Sequence, residues 1–402
     1  MFINNEDLNV CKIKVIGVGG AGCNAVNRMI DANITSAEFA AVNTDKQALM
    51  ISKVSPENKV VIGETLTQGL GAGSDPEVGE KAAEESKNEL EELVDGVNLL
   101  FIAAGMGGGT GTGAAPILAR IAKTKGCVTV AVVTKPFSFE GRKRAANAEE
   151  GIANLKKYVD TIVIIPNDKL LDVLPEDVTM LEALKHADES LRQGICGITD
   201  LISTPALINL DFADVKTIIT NQGLAHMGVG HGYGDNKVLS AVKEAVSSPL
   251  LETDIEGAQG VILNITGGPS LSLRQVREAA ELVRGVIDEG ANFIFGANIS
   301  EELGDDVEIT VIATGFTPNG KSEKLIDKLD FNSHTETETQ SEENVGSAAE
   351  EEVSEEEKNR QLYEFLRAEA EKDNAAKEEE RTEEVKPKKE LPPFMKKLFG
   401  KK

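Results

Sequence analysis

A chain of 402 residues, 41% of them hydrophobic, is long enough for two or three domains and apolar enough to bury a core in each. Its formal net charge of −25, its lack of tryptophan and its 4% aromatic content oppose a nucleic-acid function, which needs a local excess of Lys and Arg and aromatic platforms for bases. The four cysteines, Cys11, Cys23, Cys127 and Cys196, form no Cys-x-x-Cys pair and have no histidine at metal-ligand spacing, so they read as small buried residues of a reducing compartment.

The N-terminal stretch 1–10 reads as flexible and carries Glu6 and Asp7 where a signal peptide would be basic. No run approaches the roughly 20 apolar residues that cross a bilayer, so a cytoplasmic protein is expected. From residue 12, short apolar strands are predicted at 12–17, 39–42, 97–104, 128–133 and 161–165, alternating with helices at 21–30, 76–94 and 114–125. That alternation implies a parallel sheet covered on both faces, a Rossmann-like α/β domain over 11–177. A long central helix follows over 178–204. A smaller α/β domain with a mixed sheet is expected over 205–316, with strands at 260–266, 292–298 and 307–315. Its helix, 273–287, carries Leu273, Val276, Ala280, Val283 and Ile287 as a core-facing stripe.

Beyond residue 316 the composition changes. The stretch 331–357 holds ten acidic and no basic residues, and 331–390 holds 20 acidic and 9 basic. The segment 317–390 therefore reads as a solvated, disordered acidic linker. The last twelve residues, from Leu391-Pro392-Pro393-Phe394 through Lys396, Lys397, Leu398 and Phe399 to Lys401 and Lys402, combine apolar and basic character. They suit a docking peptide at the end of a tether.

Three glycine-rich segments carry the chemistry. The first strand runs into Gly17-Val18-Gly19-Gly20-Ala21-Gly22, with a helix after it, so backbone N–H groups and a positive helix end can meet phosphate. Asp45, just after the second strand, could hold a ribose hydroxyl, and this pair alone would suit an NAD-dependent oxidoreductase. The second segment, Gly105-Met106-Gly107-Gly108-Gly109-Thr110-Gly111-Thr112-Gly113, has six glycines in nine residues. Such a loop can wrap N–H groups around several phosphate oxygens, with the Thr110 and Thr112 hydroxyls added, and Ala114, Ala115 and Pro116 then open a helix. The third, from Gly69 through Gly71, Ala72 and Gly73 to Ser74, could close over a terminal phosphate. None of these three glycine segments carries the Gly-Lys-Ser/Thr of a P-loop, and no kinase motif set occurs, so a nucleoside triphosphate held by them would be cradled almost wholly by backbone.

The run from Gly107 to Gly113 resembles the signature loop of the tubulin/FtsZ family. So do the stretches 14–29, 41–45, 136–144 and 209–214, in the family's order, and the match spans about residues 11–316. The resemblance implies a GTPase that binds GTP or GDP and assembles with itself into filaments. It implies phosphate and nucleoside contacts from Gly20, Ala21, Gly22, Cys23 and Asn24, and from Thr44, Gly71, Ala72, Gly73, Gly107, Gly108, Gly109, Thr110, Gly111 and Thr112. Glu140 and Arg144 would reach the ribose and phosphates, although their four-residue spacing equally suits a surface helix pair. Asn167 and Asp188 would read the guanine edge, a carboxylate being able to accept from both N1–H and the 2-amino group. By themselves Asn167 is a turn former and Asp188 a solvated helix residue. Leu184 stands where the family often has an aromatic residue on the base.

In Asn209-Leu210-Asp211-Phe212-Ala213-Asp214 two carboxylates lie three residues apart before a helical run. An N-cap (Asp211) with a first-turn acid (Asp214) accounts for that spacing. The resemblance implies more: this loop would insert over a neighbour's nucleotide, Asp211 and Asp214 orienting water with Asn209 assisting, and Mg²⁺ held mainly by phosphates and water. It also implies a place in the bacterial division ring at mid-cell, with adaptor and regulatory proteins on 391–402 and weak or indirect membrane contact. The rivals are the oxidoreductase and a related cytomotive filament for partition or cell shape. Deletion of 391–402 is expected to leave polymerisation intact, read by light scattering, and to abolish recruitment to membrane-bound adaptor; loss of assembly itself would give the tail another role.

Overall fold

The computed structural model describes residues 11–316 apart from 172–173, 175–177, 204–207, 209, 235, 249–256 and 289. The N-terminal stretch 1–10, the acidic linker, the terminal peptide and Asn209 lie outside the described residues. The chain opens with β1 (Ile13–Val18), α1 (Gly19–Asp31), β2 (Glu38–Asn43), α2 (Lys46–Met50), β3 (Lys59–Val61) and α3 (Glu64–Thr67). Next come α4 (Pro76–Glu85), α5 (Lys87–Leu93), β4 (Leu99–Gly105), α6 (Thr110–Thr124), β5 (Val128–Lys135), α7 (Arg142–Leu155), β6 (Thr161–Pro166) and α8 (Asn167–Leu171). The long α9 (Met180–Ser203) leads to α10 (Phe212–Ile219), β7 (Gly223–Gly232), α11 (Lys237–Val246), β8 (Gly260–Gly267), α12 (Leu273–Arg284), β9 (Asn292–Ile299) and β10 (Val307–Thr314).

The described strands form one sheet in the order β3-β2-β1-β4-β5-β6-β7-β10-β8-β9. All neighbours are parallel except β10, which runs antiparallel to both β7 and β8. The parallel part and the mixed part are joined by three residue pairs, Thr161 with Gly223, Ile162 with Leu224 and Val163 with Ala225. Strand order reverses between β1 and β4, and every loop at the carboxyl ends of β1, β2, β4, β5 and β6 emerges on the same edge. Ligands of open α/β sheets bind at such a reversal.

Both faces are covered, as the near-continuous apolar strands require. On one face α4, α5, α6 and α7 bury residues such as Ala82, Leu90, Leu118 and Ile152 against β1, β4 and β5. On the other, α1, α9 and α10 bury Val26, Leu191, Ile195, Ile198 and Val215. The spacing from Leu191 to Leu201 gives α9 an apolar stripe along its second half. A third cluster joins α11 and α12 to β8 and β10.

The structure departs from the expected elements at four places. The helix expected over 76–94 is broken at Ser86, whose hydroxyl accepts from Gly63 N–H at 3.1 Å instead of letting the helix run on. The α6 helix starts at Thr110, not at Ala114, so Pro116 sits inside it and withholds the bond that the Thr112 carbonyl would otherwise receive. Leu273, placed in the core stripe, is exposed at the first residue of α12. Strand β7 was not anticipated, because its alternate residues are glycines and carry no apolar signal. The reason is contact: a Cβ on Gly228, Gly230 or Gly232 would lie 1.9, 2.0 or 1.7 Å from the carbonyl oxygens of Ala245, Ala241 and Lys237. Helix α11 thus rests on the strand's backbone, and His226 and His231 are the side chains of a strand built for that approach. Gly230→Ala is expected to cost about 2 kcal/mol or more by forcing the layers apart, seen as a lowered thermal midpoint at 222 nm; an unchanged midpoint would mean α11 can lift off β7 freely.

Candidate functional site

The first two glycine segments bring two helix N-termini together. A Cβ on Gly19 would lie 2.8 Å from the backbone nitrogen of Gly111, so α1 and α6 start in backbone contact. Neither helix has a side-chain cap or an acid in its first turn. The first N–H groups of each, which have no partner within their own helix, and both positive dipole ends therefore converge on one place with no protein anion to meet them.

The glycines divide into two sets. Those at 17, 22, 109, 111 and 113 are packed: a Cβ would fall 2.4 Å from Gly22 O, 2.1 Å from Ala103 O, 2.7 Å from the Ala72 Cβ, 2.6 Å from Gly105 O and 2.0 Å from Pro76 O, respectively. Gly20 and Gly108 meet nothing within 4 Å and open onto the space before the helix ends. Gly107 takes φ +98°, which turns the loop beneath the first turn of α7. Its N–H donates to Thr112 Oγ1 at 2.9 Å, and Thr112 is buried. The Thr112 hydroxyl closes the loop rather than lining the open space.

The third segment is clamped between β2 and the signature loop. Gly71 N–H donates to the Thr44 carbonyl at 3.2 Å and Lys46 N–H to the Gly69 carbonyl at 3.0 Å. Ala72 packs on Gly109. Thr44 itself is fully buried, with its Oγ1 2.7 Å from Thr110 Oγ1. Asp45 caps α2 through its Oδ1, accepting from Gln47 N–H at 2.8 Å and Ala48 N–H at 3.2 Å. That cap accounts for Asp45 without the ribose contact on which the oxidoreductase reading rests.

Cys23 is buried, its thiol directed at the carbonyls of Gly17 and Val42, and burial pushes its pKa up to about 12. It is a packing thiol, and Asn24 beside it is exposed. Glu140 and Arg144 are paired with each other, and Glu140 also accepts from Phe137 N–H at 2.9 Å. Their surface-pair reading is what the geometry contains, although the Arg144 carbonyl lies against Gly107, one wall of the site.

Asn167 is the first residue of α8 rather than a turn residue. It is 6% exposed and its Oδ1 has no hydrogen-bond partner, a costly state for a buried acceptor unless a ligand donor meets it. Asp188 is not a solvated helix residue. Its side chain is 13% exposed and its Oδ2 lies 3.1 Å from Nε of Arg28 on α1. Burial raises its pKa and the Arg28 guanidinium holds that rise back. One turn earlier on α9, Leu184 is exposed, as are Met180 and Leu181, and Leu171 of α8 adds a further exposed apolar side chain. Arg28 was missed in the sequence because nothing marks an arginine on a helix face as the partner of a carboxylate 160 residues away.

Asp211 and Asp214 are not brought to this place. Asp211 precedes α10 without a side-chain capping bond, so the expected cap is not formed, and both carboxylates are exposed. Leu210 N–H donates to the Leu201 carbonyl in the last turn of α9. At the other end of α10 the Ile219 carbonyl accepts from Thr161 Oγ1 at 2.5 Å, at the start of β6. The pair therefore stands at the amino ends of the parallel strands, opposite the glycine loops. Along α9, Leu201 lies 201 − 188 = 13 residues from Asp188, roughly 20 Å at 1.5 Å per residue.

A reversed parallel sheet with two uncapped helix ends and a long helix leading to a mixed half-sheet defines a nucleotide-binding α/β protein of the tubulin type. Residues 12–175 match the tubulin/FtsZ family, GTPase domain, and residues 223–317 match the FtsZ family, C-terminal domain. An empty FtsZ dimer of M. jannaschii is 42% identical, with 77% of this chain and 90% of that one covered and a TM-score of 0.74. The fold also matches CetZ2 of Haloferax volcanii, a GTPγS-bound protofilament, at 23% identity, 79% and 96% coverage and a TM-score of 0.65. CetZ1 of the same organism, a GDP-bound monomer, matches at 23% identity, 76% and 95% coverage and a TM-score of 0.66. The chain belongs to the FtsZ family. No helix among the described residues is long and apolar enough to cross a membrane.

The Arg28–Asp188 pair yields a pH signature. A carboxyl whose folded pKa is raised favours folding below its unfolded pKa, and loses that contribution as pH rises through the folded value. Arg28→Ala removes what restrains the rise, so the thermal midpoint should fall more steeply with increasing pH above the ordinary carboxylate range, with a total loss of about 1–2 kcal/mol for this part-exposed pair. A pH–stability profile parallel to that of the unmodified chain would mean the pair is not formed in solution.

Proposed function

We propose that this FtsZ-family GTPase binds GTP across the convergent N-termini of α1 and α6 and hydrolyses it only where a second copy supplies Asp211 and Asp214. The observation that carries the reading is the separation just described: the loops suited to phosphate and the exposed Asp211 and Asp214 lie at opposite ends of one chain. Head-to-tail assembly brings the two ends together. Around the loops, Met50, Ile51, Leu66, Leu70 and Phe139 are exposed apolar side chains, a surface suited to cover by another copy.

The residues present fit a guanine nucleotide. Gly20 and Gly108 leave room for phosphate, and the N–H groups of Gly20, Ala21, Thr110 and Gly111 supply donors. The Asn167 Oδ1 lacks a donor that the base could provide, and Asp188 accepts from the guanine edge, the Arg28 guanidinium favouring its charged form against burial. Leu184 and its apolar neighbours cover the base. Gly22, Gly73, Gly107 and Gly109 shape the walls around it. Glu140 and Arg144 exchange their mutual contact for the ribose and phosphates. Mg²⁺, when bound, would be held mainly by the phosphates and water and would supply charge neutralisation at the leaving group.

In the filament, Asp211 and Asp214 accept hydrogen bonds from the attacking water and aim it, with Asn209 assisting. Catalysis is positioning and electrostatics, without a covalent step on the protein. Loss of the γ-phosphate then weakens the contact and lets the filament turn over. The division ring is the setting that the terminal peptide favours, with adaptors bound to 391–402 and the linker setting their reach.

Turnover per subunit is expected to collapse below the assembly threshold, followed by phosphate release and right-angle light scattering across a dilution series with GTP, GDP, ATP and NAD⁺. Asp211→Ala and Asp214→Ala should each lower turnover by about 10²-fold or more while nucleotide stays bound. Constant specific activity on dilution would sink the shared site, and NAD⁺ binding without GTP-driven assembly would return the oxidoreductase.

A further inference from the structure

The second and third glycine segments meet at one residue. Thr44, the residue after β2, is fully buried. Its carbonyl accepts from Gly71 N–H at 3.2 Å; the Thr67 hydroxyl, which donates to the Gly63 carbonyl at 2.9 Å and accepts from Gly69 N–H at 3.3 Å, lies 3.4 Å from it. Its own Oγ1 lies 2.7 Å from Oγ1 of Thr110, the first residue of α6. Thr44 holds the third segment with its backbone and the signature loop with its hydroxyl, while its burial keeps it from lining the open space itself.

Two hydroxyls in contact must choose a direction, because each has one proton and either can donate. An ionised phosphate oxygen only accepts. With phosphate before α6, the Thr110 hydroxyl donates outward to it, and the Thr110 oxygen is left to accept from Thr44. A hydrogen bond received strengthens the one donated, so an ordered pair of hydroxyls binds an anion better than Thr110 alone.

We propose that Thr44 is a positioning residue for the nucleotide phosphates, donating to Thr110 and so holding the Thr110 hydroxyl as a donor toward phosphate. This rests on the guanine-nucleotide reading above. Thr44 makes no contact with the ligand; its effect passes through Thr110.

The test is the equilibrium affinity for a fluorescent GDP derivative, measured on the full chain below its assembly threshold. Thr44→Val keeps the shape and removes the hydroxyl, and should weaken binding about tenfold. Thr44→Ser keeps the hydroxyl and removes the methyl, and should bring affinity back to within about twofold of the unmodified chain. In a double-mutant cycle, Thr44→Val should add nothing to Thr110→Val. If Thr44→Val does not fold, as judged by its thermal midpoint, Thr44→Ser and Thr44→Ala make the same comparison, differing only in the hydroxyl. The reverse order, with Val tight and Ser weak, would mark Thr44 as packing and overturn the proposal, and additive effects in the cycle would make it a direct ligand. An unmodified chain that binds no guanine nucleotide would instead remove the reading on which the proposal stands.

Discussion

The contact on which the rest depends is the meeting of two helix N-termini at the point where strand order reverses. Helix α1 crosses β4 so closely that Gly22 faces the Ala103 carbonyl, and α6 begins against the Gly105 carbonyl through Gly111. Each helix end carries roughly half a positive charge. Two such ends in contact repel one another, and the chain places no acid in either first turn to offset it. An acid there would stabilise the empty fold and occupy the space that Gly20 and Gly108 leave open before the helix ends. The glycine density of the loops follows from this geometry, since any side chain at the packed positions would pry the ends apart.

The second determinant is the length of α9. It is anchored at one end beside Arg28 of α1 through Asp188, and at the other it hands the chain to α10 through Leu201 and Leu210. Its stiffness keeps the nucleotide loops and the acidic pair on opposite ends of one body. On the function proposed above, binding belongs to one subunit and hydrolysis to the contact between two. The seam of three residue pairs between β6 and β7 is the narrow part of the sheet, and α9 packs across it by burying Leu191 and Ile195 with Val163 and Met227 in one cluster.

Much of this was legible in the residues. Apolar runs of strand length marked the parallel strands because strands buried on both faces carry no polar alternation. The glycine segments marked the loops where helix ends and strands meet closely, since most of the six glycines in nine residues are positions where a Cβ would collide. What failed did so for identifiable reasons. Strand β7 was hidden because Gly228, Gly230 and Gly232 answer to a helix that is far off in sequence. The start of α6 was placed too late because Gly111 and Gly113 are poor helix formers by propensity, and the contacts of the fold override that. The cap expected from Asp211 is not formed.

By itself, then, the sequence determined the α/β class, the glycine-rich loops and the family, since strand periodicity and glycine clusters are local signals that survive without coordinates. Only the tertiary structure decided which glycines pack and which face open space, that Thr112 closes its loop while Thr44 reaches Thr110, and that Asp188 is held by Arg28. It also decided that Asp211 and Asp214 stand at the far end of the sheet from the loops. Each of these depends on which distant backbone or side chain arrives within about 3 Å, and that distance is set by the packing of helices on the sheet, not by the spacing of residues along the chain.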